Sequence, residues 1–216
     1  MGFGAGEGNT SLVTLADFAT HVQTHVVLAA GALFLAAAIG IPLGIFSAHV
    51  GRARGTALAL FNVGRVVPSL AVLTFVLPSL HVGFLPSLVA LTLLAIPPIA
   101  INTDLGFRGV PAAAVDAARG MGMSVRQILV RVEWPLSLPV LFAGVRTATI
   151  EVIASATLAS FIGGGGLGDY ILQGLSDNQP RILLTGVAAV STLALLAEFA
   201  LSLVGRRLKL ALGDTL

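Results

Sequence analysis

The sequence contains no cysteine, few charged residues (10%), one tryptophan and one tyrosine. Without cysteine the chain can form no disulfide, use no thiol nucleophile and hold no Cys-ligated zinc ion. Soluble domains carry about 25% charged residues, so the low charge, beside a hydrophobic content of 56%, argues against a soluble domain. No dense run of Lys or Arg indicates a nucleic-acid surface. The composition instead predicts a chain that crosses a membrane several times.

Motifs of common enzyme classes are missing as well. Four glycines at 163–166 suggest a phosphate-binding loop, but such a loop needs G-K-[ST], and here Gly168 is followed by Asp169. Neither H-E-x-x-H nor G-x-S-x-G occurs, so zinc and serine hydrolases have no motif in this sequence. His21 and His25 are four residues apart, but no third ligand is nearby, and we interpret them as solvated or headgroup-level side chains. We predict that this chain is not an enzyme and holds no metal or cofactor.

Five apolar stretches are long enough to cross a hydrocarbon core of about 30 Å. They predict an all-α membrane protein in which residues 1–216 form one transmembrane domain. The predicted spans are about 26–48, 57–80, 84–103, 136–160 and 182–204. Pro97 and Pro98 must break or kink the third span near its end. Short surface helices are predicted around 12–25 and 169–175.

The cations orient these spans. Nine of them fall on one side of the predicted arrangement, and only Arg181 falls on the other. The nine are Arg52, Arg54, Arg108, Arg119, Arg126, Arg131, Arg206, Arg207 and Lys209. Because cytoplasmic loops carry the excess of Lys and Arg, we expect the N-terminus outside, the C-terminus inside and the polar loop 105–135 in the cytoplasm.

Ionisable residues inside the spans are candidates for a translocation pathway or a charge network, because such residues are costly in lipid. They are Arg65, Arg146 and Glu151, with Glu198 near the end of the fifth span. Arg146 and Glu151, five residues apart, lie about 140° apart around a helix and need partners on other helices. We expect Arg65 to snorkel or to pair, and it is a candidate partner for Glu151. A flexible outer loop is predicted from Gly163, Gly164, Gly165, Gly166 and Gly168.

The loop 105–135 is the longest polar segment, and its pattern predicts two short helices around a glycine break. Pro111 suits a first helical turn, and the alanine-rich residues 112–118 favour helix. Gly120 and Gly122 then interrupt it. Ser124 is a candidate N-cap for a second helix. The apolar face of that helix is formed by Val125, Ile128, Leu129 and Val132, and Pro135 starts the next segment.

This loop resembles the EAA loop in the membrane subunits of ABC importers: E-A-A, three residues, G, nine residues, I, one residue, L-P. Asp116-Ala117-Ala118, Gly122, Val132, Trp134 and Pro135 occupy the matching offsets, with Asp for Glu, Val for Ile and Trp for Leu. Over about 64–204, including LPVLFAGVRTATIEVIASATLASFIGGGGLGDYI, the chain also resembles permeases for glycine betaine, choline and related osmoprotectants.

The resemblance implies a permease subunit in a prokaryotic plasma membrane. Its partners would be two ATP-binding subunits that hold ATP and Mg²⁺, a second permease copy forming a homodimer, and an external substrate-binding protein. The implied ATPase-coupling residues are Asp116, Ala117, Ala118, Arg119, Gly122, Val132 and Pro135. The substrate would be a quaternary-amine osmoprotectant, moved inward.

Three alternatives remain open at this point. Methionine-type importers share the five-span plan. An ATP-independent carrier or channel could use Arg65, Arg146, Glu151 and Glu198 as its charge network. A purely structural membrane subunit would be insensitive to substitutions in 116–122.

Overall fold

The computed structural model of the protein describes residues 14–50 and 82–211, together with the isolated helical positions 59, 61, 63, 71 and 72. The predicted second span, including Arg65, therefore lies largely outside the described residues. All regular secondary structure in the described residues is helical.

The first helix, α1, spans Leu15–His49, and Thr14 caps it by accepting a hydrogen bond from the Asp17 amide at 3.2 Å. The sequence predicts a surface helix around 12–25 and a separate span from 26. These are one continuous helix, because no proline or helix-ending glycine separates the polar turn from the apolar run.

The next helix, α2, spans Phe84–Arg108 and contains Pro97 and Pro98. Of the predicted break or kink at these prolines, the break does not occur, because the helix continues for ten residues beyond Pro98. Both prolines are buried in the bundle. Packing from neighbouring helices stabilises such a segment despite the lost backbone hydrogen bonds.

Two short helices follow, as predicted: α3 spans Ala112–Gly120 and α4 spans Val125–Ile128. Pro111 lies just before α3 in an extended conformation instead of in its first turn. A π-helical turn, Leu129–Glu133, joins α4 to α5, which spans Trp134–Ala159. Pro135 lies in the first turn of α5, where a proline is tolerated, so it marks the start of the next segment as predicted.

The chain then makes a 3₁₀ turn, Ser160–Ile162, and a glycine-rich turn before α6, which spans Gly168–Ser176. The short helix predicted over 169–175 is thus confirmed. The last helix, α7, spans Pro180–Ala211 and extends the predicted fifth span in both directions.

Helices α1, α2 and α5 form the core, and glycines allow their backbones to approach. A Cβ added to Gly40 would lie 3.2 Å from the Ile96 carbonyl oxygen, and one added to Gly44 would lie 2.6 Å from that of Ala100. These contacts advance together along both helices, so α1 and α2 run parallel. A Cβ on Gly144 would lie 2.8 Å from the Pro98 carbonyl oxygen, and α5 runs antiparallel to both. The three helices share one hydrophobic core, which includes Leu28, Ala32, Leu91, Ile99, Val152 and Ala156.

These directions define two ends of the bundle. At the turn end lie the starts of α1, α2 and α7, the glycine-rich turn and α6. At the loop end lie the ends of α1, α2 and α7, together with residues 109–133. Four helices of the described residues are long and apolar enough to cross a membrane: Leu15–His49, Phe84–Arg108, Val125–Ile162 and Pro180–Leu208. They match the first, third, fourth and fifth predicted spans.

We expect Gly144→Ala to destabilise the bundle by about 1–3 kcal/mol, because overpacking forces neighbouring atoms apart. The new Cβ would lie 2.5 Å from Asn102 Cβ. Thermal unfolding in detergent measures the effect. Gly120→Ala is the matched control, because a Cβ there would meet nothing within 4 Å. Equal unfolding temperatures for both variants would contradict the close α2–α5 contact.

Candidate functional site

The segment 112–133 projects from the loop end between α2 and α5. Its exposed surface combines charged and apolar side chains, which is typical of a surface that another protein covers. The exposed side chains include Asp116, Arg119, Met121, Val125 and Val130. Arg206 and Arg207, also exposed, lie at the same end on α7.

Helix α3 presents Asp116, Ala117 and Arg119 to solvent and turns Ala118 inward. Asp116 Oδ1 lies 3.5 Å from Arg119 Nη1, an exposed pair that stabilises the helix by a few tenths of a kcal/mol at most. Ala118 is only 2% exposed. The resemblance implies that Ala118 contacts a partner, but its side chain is buried. Ala118 therefore packs α3 against the rest of the protein.

The break between the helices depends on Gly122. Its φ of +79° lies in the left-handed region, which other residues adopt only with strain, and a Cβ there would meet nothing within 4 Å. Glycine is therefore required at position 122 for its backbone conformation and not for close packing. The Met123 amide donates to the Ala118 carbonyl at 3.1 Å, which closes the end of α3.

Ser124 caps α4, as predicted, through a capping box with Gln127. The Ser124 amide donates to Gln127 Oε1 at 2.8 Å, and the Gln127 amide donates to Ser124 Oγ at 3.4 Å. The apolar face is not as predicted. Ile128 is buried, whereas Val125, the first residue of α4, is 84% exposed. Val132, in the π turn, and Pro135, at the start of α5, are half-buried.

A contact between His49 and Glu133 joins the end of α1 to this segment. His49 Nδ1 donates to the Ile45 carbonyl at 2.8 Å, and Nε2 lies 3.1 Å from Glu133 Oε2. The Phe107 ring lies between the rings of His49 and Trp134, at centroid distances of 5.9 and 6.0 Å. Segment 112–133 thus contacts α1 directly through Glu133. It is joined to α2 through Trp134, the residue that follows it.

Sequence reasoning missed this cluster, because its members are far apart in the chain. Asp104, one turn before the end of α2, is fully buried in an ion pair with Arg108. Trp134 was expected in the loop, but it begins α5 and is half-buried.

At the turn end, the glycine-rich residues form a closely packed turn where their composition predicts a flexible loop. A Cβ on Gly164 would lie 2.2 Å from Ser87 Oγ, and one on Gly168 would lie 2.2 Å from the Thr157 carbonyl oxygen. Gly163, Gly165 and Gly166 have positive φ angles of 73°, 73° and 101°. The segment thus needs glycine for both conformation and space.

His25 was expected at the surface, and this expectation is wrong. The side chain is fully buried, and its Nε2 donates to the Ile153 carbonyl at 3.1 Å. The expectation fails because Gly166 lacks a side chain and leaves room for the imidazole ring against the turn.

His21 packs against Tyr170 next to this turn, with ring centroids 4.8 Å apart. Its Nδ1 donates to the Asp17 carbonyl at 2.7 Å, and its Nε2 lies 3.5 Å from Asp169 Oδ2. Burial, followed by the negative charges of Asp17 and Asp169, raises the pKa of Tyr170, so its phenol remains protonated at neutral pH.

Within the spans, Arg146 pairs with Glu198 of α7. Arg146 Nε donates to Glu198 Oε2 at 3.0 Å. Arg146 thus finds its partner on another helix, as its separation from Glu151 predicts. Both members lie about 20 Å from the loop end of their helices; this equal depth is the signal in the sequence that could have identified the pair. Glu151 is exposed on α5, and Arg65 lies outside the described residues.

The described residues thus combine four helices of membrane-spanning length with an exposed helix–glycine–helix segment at one end. Residues 40–210 match the family "Binding-protein-dependent transport system inner membrane component". The chain belongs to this family.

Curated relatives have similar lengths. The chain is 43% identical over 189 residues to the carnitine transport permease protein OpuCB of Listeria monocytogenes, covering 87% of each chain. It is 40% identical over 184 residues to the choline transport system permease protein OpuBB of Bacillus subtilis, covering 85% of each. The osmoprotectant import permease protein OsmY of Salmonella typhimurium is 38% identical over 189 residues, which are 86% of this chain and 80% of OsmY.

Among solved structures, an inward-facing form of the MetNI methionine ABC transporter matches with a TM-score of 0.80. The alignment covers 89% of this chain and 96% of that chain, at 22% identity, and so shows the shared fold. The family and these relatives confirm the prediction of a transport permease subunit rather than an enzyme.

Proposed function

We propose that this chain is the membrane subunit of an ABC importer that carries glycine betaine, choline, carnitine or a related quaternary amine inward. The family match, with relatives named for carnitine, choline and osmoprotectants, supports the proposal most directly. The exposed segment 112–133 would be the surface that contacts the ATP-binding subunit.

In this proposal the protein has five spans, the four described here and the predicted second span at 57–80, and lies in a prokaryotic plasma membrane. The loop end faces the cytoplasm, because Arg108, Arg119, Arg206 and Arg207 lie there, and Arg181 lies at the opposite end. The N-terminus is then outside, and the glycine-rich turn faces the substrate-binding protein. Two permease copies form a homodimer with the pathway between them.

Coupling follows from how segment 112–133 is attached. Two ATP-binding subunits, which hold ATP and Mg²⁺, would contact Asp116, Ala117, Arg119 and the exposed apolar residues Met121 and Val125. Movement of the segment would pass directly into α5, because the helix is continuous from Val125 to Ile162. It would also reach α1 through the His49–Glu133 contact.

Uptake by the reconstituted transporter tests this function. We expect proteoliposomes with the permease, its ATPase and its binding protein to accumulate glycine betaine, choline or carnitine only when ATP is supplied. Methionine is the matched control solute, because the methionine transporter shares the fold. Uptake without ATP would instead support an ion-coupled carrier, and uptake of methionine alone would identify an amino-acid importer.

The orientation can be tested with single cysteines, because the chain contains none. Leu175, at the turn end, and Met121, at the loop end, are 65% and 75% exposed. In right-side-out vesicles we expect a membrane-impermeant maleimide to label Leu175→Cys but not Met121→Cys, and the reverse in inverted vesicles. The unsubstituted protein controls for background. Labelling of Met121→Cys from outside would refute the proposed orientation.

The contact with the ATPase can be tested at Ala117. We expect Ala117→Arg to reduce uptake by about tenfold or more, because an added charge at the centre of an interface is costly. Thermal unfolding of the permease should not change, since Ala117 is exposed. Ala112→Arg, also exposed but about 140° around α3, controls for the added charge. Normal uptake by Ala117→Arg would exclude this contact.

A further inference from the structure

The Arg146–Glu198 ion pair lies near the middle of the membrane-spanning helices. The contact is bidentate: Nε donates to Oε2 at 3.0 Å, and Nη2 donates to Oε1. At a rise of 1.5 Å per residue, Arg146 lies about 18 Å from Trp134 and about 20 Å from Ala159. By contrast, the pairs His21–Asp169, His49–Glu133 and Arg108–Asp104 lie at the ends of the bundle.

The described residues, 14–50 and 82–211, leave this pair partly exposed. The side chains of Arg146 and Glu198 are 42% and 37% exposed. Charged side chains at mid-membrane depth face protein or water, because contact with hydrocarbon costs several kcal/mol. The exposed side of this pair therefore does not face lipid.

The neighbouring surface of α5 agrees with this conclusion. Its exposed residues near Arg146 are small or polar: Ala143, Thr147, Glu151 and Ala154. The exposed surfaces of α1 and α7 instead carry bulky apolar side chains, such as Phe34, Leu196 and Phe199, which suit lipid. The exposed surface of α5 beside Arg146 is therefore suited to water.

The pair also has chemistry that matches a zwitterion. A guanidinium has five N–H donors in a planar fork, and the contact with Glu198 leaves Nη1 outside it. Nη1 can donate to a solute carboxylate while Glu198 supplies negative charge near a quaternary ammonium. Glycine betaine and carnitine carry both groups, whereas choline has no carboxylate.

We propose that Arg146 and Glu198 line the solute pathway and form a transient binding site for zwitterionic quaternary amines, with Arg146 on the carboxylate. This inference rests on the proposed transport function and adds to it the recognition of the solute carboxylate within the membrane.

Water access is tested in the assembled transporter with Thr147→Cys and a methanethiosulfonate reagent that carries a trimethylammonium group. We expect Thr147→Cys to react, and Leu196→Cys, which is exposed on the bulky apolar surface of α7, to remain unmodified. Ala143→Cys, one turn away on the same surface, replaces Thr147→Cys if that variant does not assemble. Failure to react in a transporter that still imports solute would overturn the proposal.

Solute preference tests the role of Arg146. With the binding protein saturated by each solute in turn, we expect Arg146→Lys to reduce uptake of glycine betaine and carnitine about tenfold relative to choline, because lysine lacks the fork. Arg181→Gln, which removes an exposed cation at the turn end, should leave the ratios unchanged.

Two results would overturn this role. One is an equal fall for all three solutes. The other is full recovery of glycine betaine and carnitine uptake in the reversed pair, Arg146→Glu with Glu198→Arg. That result would mean that the pair only stabilises the contact between α5 and α7. If the unsubstituted transporter imports none of the three solutes, the proposed function fails by itself, so the two failures are distinguishable.

Discussion

The structure depends on the close approach of α2 to its two neighbours. Gly40 and Gly44 bring α1 against one side of α2, and Gly144 brings α5 against the other. In lipid no hydrophobic effect drives helices together, so close packing at small residues provides much of the association energy. The buried prolines of α2 are tolerated for the same reason, because both sides of the helix are covered.

This three-helix core determines where segment 112–133 and the glycine-rich turn lie. Since α2 and α5 are antiparallel, the chain between them must reverse at one end, and it does so through α3 and α4. Segment 112–133 is exposed, but the His49–Glu133 and Phe107–Trp134 contacts fix its C-terminal end to the bundle. At the other end, the glycine-rich turn packs against His25 and Ser87 and fixes the end of α5.

Features set by neighbouring residues could be predicted from the sequence. Four described spans, the two loop helices, the Ser124 cap and the bend at Gly122 all depend on local pattern or backbone conformation. Features set by distant residues could not. Burial of His25 depends on Gly166, and burial of Asp104 depends on helices that cover it. The predicted apolar face over 125–132 also assumed an unbroken 3.6-residue period, which the π-helical turn at Leu129–Glu133 interrupts.

The unbroken run of helix from Val125 to Ile162 has a mechanical consequence. Its 38 residues make a rod about 57 Å long, nearly twice the thickness of the hydrocarbon core. Tilting such a rod by about 10° around its midpoint displaces each tip by roughly 5 Å, in opposite directions. This single run of helix thus reaches from the loop end to the turn end, and a displacement of one tip moves the other tip in the opposite direction.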